Sequence, residues 1–260
     1  MRRATLLPLL ALAMMLFALP AFAGPGFDVG ARAYYWFPKL TGTVETLTAG
    51  FTDNQSFDVK DDLGVKDKNF AAGEAFVRLG RFRLRAGYTP LNFTGDKALT
   101  RTIVFQGQSF NVGTQVHSKL DMKTYDGEIG VDILRPEIPV LANVYVGLLA
   151  KVKYVDGMVE ITDGTPADRK QKDFHAPIPM VGAQGGIGFL ADWIRVDAKV
   201  AGIAYSGKHL YEGDIYASFS PFPFIKLQGG YRAIDLKYDD SDFKAALKIK
   251  GPYVGLQAAF

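Results

Sequence analysis

The sequence predicts an all-β chain, closed as an antiparallel transmembrane β-barrel of about ten strands. Three observations carry that expectation. Apolar and polar residues alternate with period two almost everywhere after residue 23. The connections between these stretches are short and long by turns. No later stretch approaches the roughly 18 continuous apolar residues that a membrane helix requires, so a membrane crossing here is made by strands.

The first residues read differently. Arg2 and Arg3 precede an apolar run from Ala4 to Leu19, and Ala21-Phe22-Ala23 forms a small-x-small site. This is the pattern of a cleavable secretory signal peptide over residues 1–23, leaving 24–260 as one barrel domain. With Arg2 and Arg3 removed, 28 basic residues face 27 acidic ones, a net charge of +1 that gives no ground for a nucleic-acid partner. The chain has no cysteine, which argues against a disulfide-stapled secreted fold.

Ten strands follow in order, at 26–38, 69–79, 82–95, 116–134, 140–156, 176–190, 193–205, 210–221, 223–238 and 244–260; eight and twelve are the alternatives. In the first, Phe27, Val29, Ala31, Ala33, Tyr35 and Phe37 share one face and Asp28, Gly30, Arg32, Tyr34 and Trp36 the other. In the third, Phe82, Leu84, Ala86 and Tyr88 oppose Arg83, Arg85, Gly87 and Thr89. The fourth sets Tyr125, Ile129, Val131 and Ile133 against Asp126, Glu128, Gly130 and Asp132. The seventh alternates Ile194, Val196, Ala198 and Val200 with Arg195, Asp197 and Lys199.

Short turns fit at "LGRF", "RPEIP", "ADW" and "PFPF", and the longer connections between them include "TDGTPADRKQKDFH", "SGKH" and "DDSD". An even strand number puts both termini on the short-turn, periplasmic side. The stretch "TRTIVFQGQSFNVGTQV" reads as a hairpin turning at Gln106-Gly107, extending strands three and four beyond the membrane.

One face of these strands is aliphatic with aromatics near the ends; the other mixes both charge signs with glycine. That suits strands between lipid outside and a narrow polar lumen within. The predicted lumen charges are Asp28, Arg32, Glu74, Arg78, Arg83, Arg85, Asp126, Glu128, Asp132, Arg195, Asp197, Lys199, Asp214, Lys226 and Arg232. Near-equal signs favour a mutually satisfied network over a selective constriction; a narrow passage for small polar solutes is the alternative.

The chain closes on "GPYVGLQAAF", with Val254, Leu256, Ala258 and Phe260 at every second place. Together with the signal peptide and the alternating strands, this ending resembles small single-chain bacterial outer-membrane β-barrel proteins. The resemblance covers essentially the whole mature chain, as architecture, and Pro252 departs from the ideal ending. It implies an outer-membrane location, lipid as surroundings, and a terminal strand read by the barrel-assembly machinery.

Catalytic chemistry is weakly signalled. His117, His175 and His209 fall in or near predicted loops with no metal-ligand spacing, so neither metal nor cofactor is expected. The Asp-rich "DVKDDLGVKDK" does not match an EF-hand, and its lysines would oppose a cation. Asp173 and His175, with Asp240 and Asp242 as a second acidic pair, resemble the rim constellation of omptin proteases. The competing reading is that "ADRKQKDFH" is a solvated loop. His117 and Ser118, adjacent on a strand, point to opposite faces and do not form a nucleophile pair. The expected function is therefore a non-enzymatic barrel or loop scaffold with a charge-filled lumen, ahead of a rim hydrolase.

Overall fold

The computed structural model describes residues 27–46, 55–105, 108–138, 142–164, 170–190, 192–239 and 243–260. The predicted signal peptide, Gln106, Gly107, Asp240 and Asp242 lie outside them. Fifteen strands form among the described residues: β1 (Phe27–Trp36), β2 (Lys39–Thr46), β3 (Gln55–Asp58), β4 (Phe70–Leu79), β5 (Phe82–Ala98), β6 (Ile103–Phe105), β7 (Gln108–Phe110), β8 (Gln115–Leu134), β9 (Glu137–Ile138), β10 (Ala142–Thr162), β11 (Lys170–Phe189), β12 (Ile194–Tyr205), β13 (Lys208–Phe222), β14 (Ile225–Asp239) and β15 (Phe243–Ala259). Ten of them close in the order β1-β4-β5-β8-β10-β11-β12-β13-β14-β15, with β1 returning to β15 from Gly30↔Ala259 to Trp36↔Tyr253. Every neighbouring pair is antiparallel, so a ten-stranded barrel without a free edge through its middle is complete.

Alternation sorts the side chains as predicted over the half of the barrel nearer the short turns. Leu84, Ile129, Val131, Leu148, Val200, Ile215, Leu227, Val254 and Leu256 face out, and the exposed surface there is aliphatic. Tyr88, Tyr125 and Tyr154 sit side by side on β5, β8 and β10, with ring centroids 5.1 and 6.4 Å apart. At the turn end Phe82, Phe189, Trp193, Phe219, Phe222 and Phe224 are exposed. These two aromatic belts bound a band whose height is about 20 Å, taking eight residues of tilted strand from Tyr125 to Ile133.

Beyond the tyrosine row the sidedness inverts without any slip in register. On β8 the inward series runs Val116, Ser118, Leu120, Met122, Thr124 and then Asp126, Glu128, Asp132, while outward His117, Lys119, Asp121 and Lys123 give way to Tyr125, Ile129 and Ile133. The expected polar lumen is therefore found only in the turn-end half; the other half is lined by apolar side chains. Water outside that half replaces lipid as the neighbour, and the faces exchange character accordingly.

The strands at this loop end also differ from expectation. β10 and β11 run on through Thr162 and back from Lys170, so Lys170–His175 belong to a strand and not to a charged loop. Pro177 and Pro179 lie within the predicted strand 176–190 and are kept in β11. They fall where β11 has lost its second partner, since β11 pairs β12 only over Val181–Phe189. The "SGKH" connection is a two-residue turn, with Ser206 and Gly207 both at positive φ, 48° and 78°. The hairpin around residue 107 does not extend the barrel wall. β6 and β7 form their own small sheet and bury Ile103, Phe105 and Phe110 against the apolar interior.

β2 and β3 were not anticipated. β1 bends at Phe37-Pro38 and continues as β2, which keeps β15 as its neighbour, and β3 folds back onto β2. Gly42 lets β2 lie close against β15. Its φ is 142°, and a Cβ there would lie 2.0 Å from the Ala246 carbonyl oxygen. Gly42→Ala is expected to loosen β2 from β15 and cost about 1–3 kcal/mol, read as a lower unfolding midpoint in detergent; an unshifted midpoint would show that the pairing absorbs the methyl group.

Candidate functional site

The lumen charges form three layers. At the turn end Arg78 pairs with Asp28, Arg83 with Asp132 at 2.9 Å, and Arg195 with Asp197 and Asp192 at 3.0 and 3.1 Å. Tyr145 lies between two guanidinium groups, 3.7 Å from Arg83 and 5.1 Å from Arg195, and donates its hydroxyl to Asp197. Lys226 joins from the facing wall in the field of Asp192, Asp197 and Asp28.

In the middle layer Arg32 bridges Glu74 and Asp214, both at 3.3 Å, while Arg85 pairs with Glu128 and donates to Gln184. Lys199 reaches Glu74 at 3.2 Å and Glu128 at 3.7 Å. Tyr253 donates to Asp214 at 2.8 Å, and Tyr216 lies under the Arg32 guanidinium.

The top layer contains residues that the sequence reading passed over. Lys151 and Lys153 both contact Asp126 and Glu212, with Lys153 at 2.7 and 2.9 Å. Arg232 approaches the same two carboxylates at 3.8 and 3.9 Å and donates to Tyr34 and Thr89. Alternation alone would have found the missing three: Lys151 and Lys153 flank Val152 in "AKVKY", and Glu212 stands two places from Asp214.

Across the three layers, fourteen of the candidate lumen charges form direct ion pairs. The space left between the middle and top layers is about 30 Å³, room for a water molecule or two. Across the lipid band the lumen is a charged plug.

Above the plug lies a chamber of about 440 Å³. Its walls are apolar, with Met122, Val155, Phe174, Ile178, Leu210, Ile234 and Leu247 among them, and Lys153 with Glu212 forms its floor. One side is roofed by the segment after β3, which packs Phe57, Val59, Leu63 and Val65 inward with Phe105 from the small hairpin. This cap docks against Gly95, where a Cβ would stand 2.4 Å from the Leu63 carbonyl oxygen. Ser118 donates to that same carbonyl, Val65 bridges to Gly95, and Lys66 N–H bonds the Thr94 carbonyl.

Arg101 clips the cap from outside, donating to Asp62 at 2.5 and 3.2 Å and to the Ser56 carbonyl at 2.5 Å. Two other acids of this Asp-rich stretch are also committed. Asp58 caps the turn by accepting from Lys60 and Asp61 N–H, and Asp67 pairs with Lys60.

Among the described residues, the weaker catalytic candidates face outward. Asp173 and His175 lie on the outer face of β11, where Asp173 accepts from Gln171 and His175 faces Asp156 at 3.5 Å. His117 and His209 are likewise outward, beside Asp96 and Asp235. Asp240 and Asp242 fall outside the described residues. His117 and Ser118 point to opposite faces of β8.

No family model matches the chain, and no curated protein matches it in sequence. Solved structures do match in shape. The outer membrane protease OmpT from Escherichia coli aligns over 90% of this chain and 97% of its own, at a TM-score of 0.50 and 8% identity. The fold is that of an outer-membrane β-barrel. Neisserial surface protein A aligns over 90% of this chain and 97% of its own, at TM-score 0.36 and 12% identity, and the Pseudomonas putida toluene transporter TodX over 92% and 90%, at 0.31 and 8%. At these identities the likeness extends to fold alone.

Two outcomes follow from this geometry. Asp132→Ala leaves Arg83 buried beside Tyr145 without its carboxylate, and is expected to cost about 3–5 kcal/mol, read from the unfolding midpoint of the detergent-solubilised barrel. For the cap, burial pushes the Asp62 carboxyl up, but the Arg101 and Asp58 N–H hydrogen bonds and the charges of Arg101 and Lys97 outweigh it and hold Asp62 below its ordinary value. A lowered carboxylate stabilises above the unfolded value of about 3.9 and loses that contribution as pH falls through the lower folded one. Amide protection factors in residues 55–65, corrected for the intrinsic exchange rate, should accordingly fall in acid, and Arg101→Ala should lower them already at neutral pH.

Proposed function

We propose that this protein is a closed, non-enzymatic outer-membrane barrel that holds its turn end toward the periplasm and its tall, capped end outward as a scaffold. One observation carries the reading: across the aliphatic band the lumen is occupied by ion-paired side chains with room for a water molecule or two. A conducting pore requires a continuous wet path, and a salt-bridge network of balanced sign supplies none. The outward placement of Asp173 and His175 supports the non-enzymatic part. The aliphatic outer face would meet membrane lipid, and residues 1–23 would direct export.

Val254, Leu256 and Ala258 face outward on the strand that closes the barrel. Phe260 stacks on Phe224 at 5.4 Å and exchanges backbone hydrogen bonds with Val29. In this reading the same four residues are the signal handed to the barrel-assembly machinery.

Purified protein in a planar bilayer should show no steady single-channel currents; reproducible ion-selective steps would overturn the closed reading. Deleting Phe260 should lower the folded, membrane-inserted fraction in cells far more than it lowers the stability of barrel refolded in detergent. Equal losses in the two assays would reduce Phe260 to a packing residue.

A further inference from the structure

We propose that the chamber above the plug binds one long-chain fatty acid, with its carboxylate on Lys153 and its chain along the apolar walls. The reading is independent of whether the plug conducts.

Volume comes first. At about 440 Å³ the chamber falls within the roughly 300–1,000 Å³ of small-molecule sites, and its lining is mostly aliphatic and aromatic, with Lys153 and Glu212 on the floor and Lys119, Glu160, Lys172 and His175 toward the loop end. Val155, Phe174, Ile178, Leu210, Ile234 and Leu247 converge on it from five strands. A two-chain phospholipid is too large for that space, whereas a single acyl chain matches its shape and chemistry.

Charge selects the head group. The middle layer of the plug balances, with Arg32, Arg85 and Lys199 against Glu74, Glu128 and Asp214. The top layer does not: Lys151, Lys153 and Arg232 contact Asp126 and Glu212, and Asp214, which also acts on Arg232, is already counted in the middle layer. One positive charge is in excess, and it sits where burial makes an unbalanced charge costly. Lys153 is the cation of this layer that lines the chamber, with its side chain 3% exposed. An anion delivered to the floor makes three against three. Glu212, also on the floor, is already engaged by Lys151 and Lys153, so the newcomer finds a cation rather than a bare carboxylate.

Access comes from the side. Among the described residues, β11 above Val181 has no partner beyond β10, and β12 and β13 turn back at Ser206 and Gly207. No β12 residue lines the chamber. The wall between β11 and β13 is thus low, just beyond the tyrosine row. Pro177 and Pro179 on the bordering stretch of β11 lack N–H groups, which guards that edge against capture by another strand. An amphiphile held at the membrane surface meets this gap at its own level.

Calorimetric titration of the full mature barrel in lipid nanodiscs tests this, with palmitate and cetyl alcohol as separate probes and empty nanodiscs as the blank. Wild type should bind one palmitate saturably. Lys153→Met keeps the volume and leaves Lys151 and Arg232 against Asp126 and Glu212, so the floor is balanced and the barrel is expected to fold. It should weaken palmitate roughly tenfold or more while leaving cetyl alcohol unchanged. Ala176→Trp, which fills the chamber, should abolish both; Leu247→Trp on the facing wall does the same should the first variant fail to show the heat-dependent gel mobility of a folded barrel. Absence of saturable palmitate binding in wild type overturns the proposal, as does binding that survives the filling variant. Equal palmitate affinity in wild type and Lys153→Met overturns the carboxylate on the floor.

Discussion

A sheet in lipid has no water to satisfy its edges, so it must close on itself, and everything else in this molecule follows from that closure. Joining β1 to β15 gives every strand residue an inside or an outside with no third choice. The period of two then becomes a strict partition. Aliphatic positions are committed to the lipid, and whatever alternates with them is forced into a lumen too narrow to hydrate it. The charges inside have only each other, which is why both signs appear and why they interlock.

The same partition explains the two-storey interior. Within the aromatic belts the outside must be apolar, so the polar residues of each strand go in. Beyond Tyr88, Tyr125 and Tyr154 the outside is wet, and the strands use the freedom to place Leu91, Phe93, Met122 and Ile161 inward. The lower storey is held by ion pairs and the upper by an apolar core and its cap. Neither half would be stable with the other's lining in the other's surroundings.

Most of the barrel was legible because alternation survives in any closed sheet. Strand number and order could be read from it. The upper storey was not legible, and the reasons are particular. Phe174, Ala176 and Ile178 alternate as cleanly as any strand, but Phe174 sits in a charged stretch, so the predicted strand began only at residue 176; Pro177 and Pro179 inside it are admissible because the partner on that side is missing. Lys170–Lys172 reads as loop by composition, since charges on both faces cannot be told from solvated coil. The inward turn of the cap depends on Gly95 and the clip by Arg101, contacts between residues some 40 apart in sequence, which no local pattern carries. Lys151, Lys153 and Glu212 obey the same period-two rule as the charges around them.

The layered charges also constrain the order of assembly. Arg32 meets Asp214 across 182 residues and the Tyr253 hydroxyl across 221, and Arg232 meets Tyr34 across 198. None of these partners is adjacent until the sheet has curled shut. An open, partly formed sheet therefore carries its future interior as a row of unneutralised charges that prefer water to lipid. That preference opposes insertion of incomplete forms and vanishes at the moment the first and last strands join, so that charge pairing acts as a latch on closure.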